Sequence, residues 1–313
     1  LRAGSIKLLY VAPERLLLDG FLDEIDAFSP ALFAIDEAHC ISEWGHNFRP
    51  DYLKLAGFAR NCQAERVLAL TATATRPVLE DIRRAFEIEP ACAVRTGFYR
   101  GNLKVAATPV SAAERDSYLL AQIQQRDPGP TIVYVTLQRT AEEVAGRLSS
   151  AGLPAKAYHA GMEDDLRAAV QDWFIASDRG IVVATIAFGM GIDKANIRYV
   201  YHYNLPKSLE NYCQEIGRSG RDGQPATCHL LACADDLNPL ENFVYGDTPT
   251  PEAVQGLVQH IFSQGADFDV SYYELSSQRD IRILVVRTLL TYLELQGYLE
   301  GGTPFYSEYQ FKP

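Results

Sequence analysis

Leu32-Phe33-Ala34-Ile35-Asp36-Glu37-Ala38-His39 is an apolar run that ends abruptly in two carboxylates and a histidine. The apolar run predicts a buried parallel strand. Carboxylates at the C-terminal end of such a strand sit where open α/β sheets place their ligands. An Asp in that place can hold Mg²⁺ through water, and the adjacent Glu can orient a water for attack on a γ-phosphate. The plain alternative is a strand that ends in a solvated acidic turn. The sequence around the pair decides between them.

Working outward, strands and helices alternate. Before the acidic pair, Ser5–Val11 predicts a strand and Pro13–Leu17 opens a helix. After it, Arg66–Leu70 predicts a strand and Pro77–Phe86 a helix. Residues 98–117 turn to Gly, Asn, Thr, Pro and Ser, and a linker is expected over 104–117. A second series comes next, with strands at Thr131–Val135, Ala155–His159, Ile181–Thr185, Ile197–Tyr203 and Thr227–Ala232. Its helices are expected at Gln138–Ser150, Asp164–Ala176 and Leu209–Gly217. Repeated βα units imply parallel sheets covered by helices. The expected class is therefore α/β, with two parallel-sheet lobes: residues 1–103, truncated at the N-terminus, and residues 118–232. From Cys233 the pattern becomes helical, with Pro251–Gln264 and Asp280–Gln296 as helices. In the second of these, Ile281, Leu284, Val285, Thr288, Leu289, Tyr292 and Leu293 share one face, and Gly297 stops it. Tyr298-Leu299 and Phe305–Phe311 predict a hairpin, so residues 233–313 read either as a winged helix or as a plain helical cap.

The bulk numbers fit a two-domain protein: 313 residues, 47% hydrophobic and 22% charged. No apolar stretch is long enough for a bilayer span, and no signal-peptide pattern opens the chain. A cytoplasmic setting is expected, with nucleoid association in a bacterium. The six cysteines are scattered without a Cys-x-x-Cys pair, so neither a disulfide framework nor a zinc site is expected. Cys228 and Cys233 could share a metal, but no nearby Cys or His pair completes a set. A net charge of −11 argues against a general basic coat for nucleic acid, though not against a local groove.

Four further stretches bear on chemistry. Thr71-Ala72-Thr73 comes directly after its strand, which brings two hydroxyls toward the acidic pair. They can relay the state of a nucleotide, or simply cap the next helix. Phe188-Gly189-Met190-Gly191-Ile192-Asp193 comes after a buried strand; its glycines permit close backbone approach. Asp193 could bond a ribose hydroxyl or tie down an arginine. Gly217-Arg218-Ser219-Gly220-Arg221-Asp222-Gly223 places two arginines three apart between glycines. Their forked guanidinium groups grip phosphate oxygens, and one can stabilise transition-state charge as a finger. Between Ile41 and Tyr52, the residues Trp44, His46, Phe48, Arg49 and Tyr52 crowd one segment directly after the acidic pair. Aromatics and arginine on a loop can stack on unpaired bases.

These residues resemble the RecQ family of ATP-dependent DNA helicases in helicase superfamily 2. The resemblance rests on Tyr10–Leu16, the Asp36-Glu37-Ala38-His39 (DEAH) box, the Trp44–Tyr52 segment and Leu70–Ala74. In the second half it rests on Ile132–Val135, Tyr158–Met162, Ala184–Asp193 and Gln214–Gly223. The acidic box gives only the superfamily, whereas the aromatic segment beside it is specific to RecQ-like enzymes. The resemblance implies two RecA-like lobes with ATP and Mg²⁺ between them, Asp36 holding Mg²⁺ through water and Glu37 positioning the attacking water. It implies that His39, Thr71 and Thr73 link the lobes, with Gly189 and Asp193 at the nucleotide. Arg218 and Arg221 reach the phosphates, with Gln214 in support. Trp44, His46, Phe48, Arg49 and Tyr52 meet DNA. The implied activity is 3′-to-5′ translocation on single-stranded and forked DNA in repair and recombination. No protein partner is named by the sequence.

Two departures matter. No Gly-x-x-x-x-Gly-Lys-Ser/Thr loop occurs, and the chain opens on Leu1. A fragment lacking the phosphate loop is therefore expected, inactive by itself. The four-cysteine zinc module of many relatives is missing around Asn238–Gly246, so a zinc-free variant is expected. The rival readings are a superfamily 2 RNA helicase, disfavoured by the aromatic segment, and a non-catalytic DNA-binding or interaction remnant. The second is disfavoured by the joint presence of Asp36, Glu37, Arg218 and Arg221.

Overall fold

A computed structural model describes residues 7–17, 30–42, 48–97, 99–189, 192–246 and 248–302, with side chains omitted over 242–246. The chain divides into two compact units. Unit 1 joins Leu1–Arg95 to Val244–Pro313, and unit 2 is Thr96–Phe243.

In unit 1, strand β1 (Phe33–Ile35) pairs in parallel with β2 (Val67–Ala69), Phe33 opposite Val67 and Ile35 opposite Ala69. Helix α1 (Pro50–Asn61) starts on a proline, with Asp51 in its first turn where the helix dipole favours a carboxylate. Its buried face is Tyr52, Leu55, Ala56 and Ala59, at helical spacing. Helix α2 (Arg76–Ala85) buries Val78 and Ile82, one turn apart. These faces close on Ile35, Ala38 and Ile41. Lys7–Val11, part of an expected strand, form none, and Pro13–Leu17 is a 3₁₀ turn.

Unit 2 is a six-stranded sheet, parallel throughout. Its strands are β3 (Leu103–Pro109), β4 (Thr131–Tyr134), β5 (Ala155–Tyr158), β6 (Ile181–Ala184), β7 (Tyr199–His202) and β8 (Ala226–Ala232), in spatial order β3-β8-β7-β4-β6-β5. Helices α3 (Arg115–Gln125), α4 (Gln138–Ser150), α5 (Asp164–Ala176) and α6 (Leu209–Ile216) cover it, and α7 (Leu237–Gly246) comes after β8. The central strands alternate between two cores. Ile132, Tyr134, Val182 and Val200 pack with Phe174 and Phe188. Val133, Val183 and Tyr201 pack with Leu119, Val144 and Leu148. Burial on both faces is why these strands read as unbroken apolar runs.

The expected linker over 104–117 is corrected. Its first part is strand β3, paired along its whole length with β8 from Leu103–Ala226 to Pro109–Ala232, and α3 begins at Arg115. An edge strand carries only a half-buried face and tolerates proline, so it reads as a polar connector. The second lobe accordingly starts near Thr96 rather than at residue 118.

A buried ion pair ties unit 2 together beyond its sheet. Arg115 donates to Asp236 Oδ1 at 3.0 Å, and Asn204 Nδ2 donates to the same oxygen at 2.8 Å. The Leu205 amide donates to Asp236 Oδ2 at 2.9 Å, while Asn204 Oδ1 accepts from the Thr136 amide at 3.1 Å. The segments leaving β4 and β7 are thus fixed by one carboxylate. Removing it leaves a buried guanidinium without its counter-charge. Asp236→Ala is expected to cost about 3–5 kcal/mol of stability, read from urea unfolding.

The C-terminal region is not a separate body. Helices α8 (Pro251–Phe262), α9 (Tyr272–Arg279) and α10 (Ile283–Leu295) belong to unit 1 and form a core from Leu257, Ile261, Leu275, Ile281, Val286 and Leu290. Thr250 and Ser271 cap α8 and α9 through side-chain oxygens. Gly297, at φ +75°, ends α10 as expected. The buried face of α10 is Val286, Leu290 and Thr291, while Leu284 stays 44% exposed. Of the expected face, Ile281, Val285, Leu289 and Leu293 pack in this core. Tyr298 and Leu299 form no strand; their amides cap α10 on the Leu293 carbonyl. The rest of the expected hairpin, Phe305–Phe311, lies outside the described residues.

Candidate phosphate-chemistry residues in each unit

The acidic pair sits where the sequence puts it, immediately beyond β1. The Leu70 amide donates to Ile35 O and the Ala38 amide to Leu70 O, both at 2.8 Å, so the turn stays stitched to the strand beyond β2. Asp36 is exposed, and its Oδ1 accepts the Glu37 amide at 2.9 Å. Glu37 adopts the left-handed region, φ +50° and ψ +41°. For a residue other than glycine this costs on the order of 1 kcal/mol, and such strain gathers at functional sites. The fold accepts that strain and turns the Glu37 side chain back over His39.

His39 is 1% exposed, with Nδ1 2.9 Å from Thr71 Oγ1 and 3.2 Å from Glu37 Oε2. Counting donors assigns the proton. Thr71 Oγ1 donates to Thr73 O at 3.1 Å and accepts the Thr73 amide at 3.2 Å. It therefore needs a donor from the histidine, and Nδ1 carries the hydrogen and donates it to Thr71, while Glu37 Oε2 lies 3.2 Å from the same nitrogen. Nε2 is left as an acceptor, 3.8 Å from Cys40 Sγ. Burial pushes the Cys40 thiol up to about 11, so it stays protonated and faces Nε2 as a weak donor. Thr73 Oγ1 is buried without a partner among the described residues. Of the two hydroxyls expected to face the acidic pair, that of Thr71 meets His39, whereas Thr73 meets Thr71 through its main chain. Ser42 Oγ donates to Asp81 Oδ2 at 2.6 Å and holds the far end of the turn to α2.

The aromatic segment divides. Trp44 and His46 lie outside the described residues. Phe48 is half-buried and Arg49 exposed, its amide bonded to Cys40 O at 2.9 Å. Tyr52 is corrected. Its ring is buried on α1, and its hydroxyl donates to the Asp36 main-chain carbonyl at 3.3 Å. A ring held in the core offers no face to a base; Tyr52 is a strut beneath the acidic turn.

In unit 2, Arg218 donates to the Gly189 carbonyl, and its guanidinium lies where a β-carbon on Gly189 would have to go. The missing β-carbon at residue 189 is what lets the guanidinium approach this closely. Arg218 Nε is buried without a hydrogen-bond partner among the described residues. Tyr134, whose hydroxyl donates to Phe188 O at 3.2 Å, is a neutral phenol, pushed up by burial against the opposing pull of Arg218. Arg221 is 3.6 Å from Asp193 Oδ1, so of the two roles open to Asp193 the structure displays the tie to an arginine. Gln214 is half-buried in the last turn of α6.

Two residues missed from sequence hold the arginine-bearing turn. Arg100 donates to Gly217 O at 2.9 Å and Gly220 O at 2.5 Å, and Asn102 donates to Gly220 O at 2.8 Å. Gly220 is at φ +54°, and a β-carbon there would lie 2.6 Å from Asn102 Nδ2. Buried His202 pairs with Glu215 at 2.7 Å behind this turn.

Among the described residues no three His, Cys, Asp or Glu side chains gather as a metal cluster, and no helix is long and apolar enough to cross a membrane. A single exposed carboxylate at a strand end suits Mg²⁺, which takes one or two carboxylates, keeps several waters and completes its shell with substrate phosphates.

Two protein families match the chain in succession: DEAD/DEAH box helicase over residues 1–82 and helicase conserved C-terminal domain over residues 114–223. The RecQ-like DNA helicase blm-1 of Caenorhabditis elegans is 43% identical over 79% of this chain and 26% of its own length. The ATP-dependent DNA helicase Q-like 5 of Arabidopsis thaliana is 36% identical over 94% of this chain and 34% of its own. The ATP-dependent DNA helicase RecQ of Bacillus subtilis (strain 168) is 41% identical over 76% and 40%. The chain thus spans about a quarter to two fifths of the length of these relatives. Among solved structures, Mss116p bound to ssRNA and AMP-PNP superposes with a TM-score of 0.55 at 19% identity, over 91% of this chain and 63% of that one. Dbp5 of S. cerevisiae bound to RNA and ADP BeF3 gives 0.55 at 18%, over 68% and 56%. At such identities the likeness speaks for the fold alone, the RecA-like α/β lobes expected from the βα series. An acidic box wired to its histidine, a cradled pair of arginines and these relatives from animal, plant and bacterium agree: the chain belongs to the RecQ family of superfamily 2 helicases.

Proposed function

We propose that this chain supplies most of the ATP-hydrolysing and strand-handling residues of an ATP-dependent DNA helicase. The observation that carries the reading is the cluster of Glu37, His39 and Thr71, in which a carboxylate at a strand end and a hydroxyl on the next strand's exit both lie against one buried histidine nitrogen, with Thr71 held by the Thr73 main chain. Glu37 orients and deprotonates the attacking water. Asp36 holds Mg²⁺ through water; when bound, the ion neutralises developing phosphate charge. His39, Thr71 and Thr73 pass the state of the nucleotide onward, and Gly189 and Asp193 set the placement of the two arginines. Arg218 and Arg221 stabilise transition-state charge, with Gln214 in support. The buried, unpartnered Nε of Arg218 supports that role, because such a donor is costly unless an anion meets it. Trp44, His46, Phe48 and Arg49 meet single-stranded or forked DNA and couple it to hydrolysis. Translocation runs 3′ to 5′, in repair and recombination, in the cytoplasm. Zinc has no part in the scheme.

DNA rather than RNA is favoured because the relatives at 36–43% identity are named as DNA helicases, whereas the RNA-bound structures resemble the chain at under 20%. The test is unwinding by the full-length protein with ATP and Mg²⁺ on duplexes bearing a 3′ or a 5′ single-stranded tail. Strand release from the 3′-tailed DNA alone is expected. Release from the 5′-tailed duplex reverses the polarity, equal release from RNA overturns the substrate, and no nucleotide-dependent release removes the helicase reading.

A further inference from the structure

Helix α10 lies outside both matched families, yet it is bonded to the helix that comes after the aromatic segment. Arg287 Nη2 donates to Asp51 Oδ2 at 2.8 Å, and Glu294 pairs with Lys54 one to two turns further along both helices. The Asp51 side chain is 11% exposed and that of Arg287 38%. Asp51 adjoins Tyr52, whose hydroxyl holds the Asp36 carbonyl and whose amide donates to Arg49 O at 3.0 Å. The Arg49 amide in turn bonds Cys40 O, next to His39. An unbroken run of contacts therefore leads from Arg287 to the backbone of the acidic turn.

We propose that Arg287 is a positioning residue for nucleotide hydrolysis: by gripping Asp51 it sets the first turn of α1, and through Tyr52 and Arg49 the geometry of Asp36, Glu37 and His39. The C-terminal helices are then a brace on the catalytic turn. This rests on the proposed ATP hydrolysis. The pair is poorly suited to a purely stabilising role. Its arginine end is open to solvent, which screens the pair, and Asp51 keeps the favourable dipole of α1 when Arg287 is gone. What a cation on one directed hydrogen bond adds instead is orientation of the Asp51 carboxylate.

The experiment uses the full-length protein carrying Arg287→Met, which keeps much of the apolar stem, or Arg287→Lys, which keeps the charge. ATP hydrolysis is measured at saturating oligo-dT, well below each melting temperature. Arg287→Met is expected to lower kcat about fivefold with KM for ATP within about twofold, and Arg287→Lys to recover most of the loss, the size expected for coupling through contacts rather than for loss of a reacting group. Wild-type kcat in Arg287→Met overturns the proposal, as does an equal loss in Arg287→Lys. A wild-type protein without DNA-stimulated hydrolysis refutes the proposed function instead, and so separates the two failures.

Discussion

Glu37→Gln is expected to lower DNA-stimulated ATP hydrolysis by about 10²–10⁴-fold, the range for loss of a general base, while nucleotide binding stays within about threefold, as for an interaction made only in the transition state. The substitution is close to a pure removal of charge. Glutamine has the same length, carries the same left-handed strain at φ +50° and keeps an oxygen in reach of His39 Nδ1, 3.2 Å away. The turn between Ile35 and Ala38, held by main-chain hydrogen bonds on both sides, has no reason to move. The group that disappears is the basic oxygen that, in the proposed mechanism, takes the proton of the attacking water. Steady-state hydrolysis and titration with a fluorescent ATP analogue read the two quantities separately. Turnover near the wild-type rate would remove Glu37 from the chemistry and leave its backbone strain without a catalytic reason.

Parallel strands buried on both faces announce themselves as apolar runs, and Thr131–Tyr134 and Ile181–Ala184 were found for that reason. The acidic turn was legible because Phe33–Ile35 is apolar in composition, although of these only Ile35 is buried, and the residues just past such a run lie at the ligand-binding edge of a parallel sheet. Strand β3 was not, because an edge strand with alternating half-buried positions has a polar composition. Tyr52 was misread for a related reason. Aromatic residues crowded into one segment do not say which of them turn inward. Helical spacing from Pro50 through Tyr52, Leu55, Ala56 and Ala59 carried that information, but only once the helix start was recognised. Arg100 and Asn102 left no trace at all, since they serve main-chain carbonyls 117–120 positions away. The same holds for Arg287 and Asp51, 236 apart. Local patterns report burial and turns, whereas long-range polar pairing appears only when the chain is folded.

Gly189→Ala carries the second large effect, and here a methyl group acts on an arginine. Gly189 is not among the glycines with positive φ, so its backbone accepts alanine without strain. The new β-carbon would instead occupy the space of the Arg218 guanidinium. That group is the far end of a flexible side chain, so it swings away at little cost to folding; urea midpoints should shift by no more than about 1 kcal/mol, as for a surface change. Its hydrogen bond to the Gly189 carbonyl is lost, and with it the placement of a cation for the γ-phosphate. An arginine finger is worth about 10³–10⁵ in rate, and a displaced one should forfeit at least about 10²-fold, because a misplacement near 1 Å already costs that much. Arg218→Ala should match this loss, and the double variant Gly189→Ala/Arg218→Ala should be no slower than Arg218→Ala alone, since both changes remove one interaction. Additive losses would mean that Gly189 acts on the nucleotide directly rather than through Arg218. Near wild-type hydrolysis in Gly189→Ala, with the fold intact, would mean that the guanidinium is not fixed by this contact during turnover.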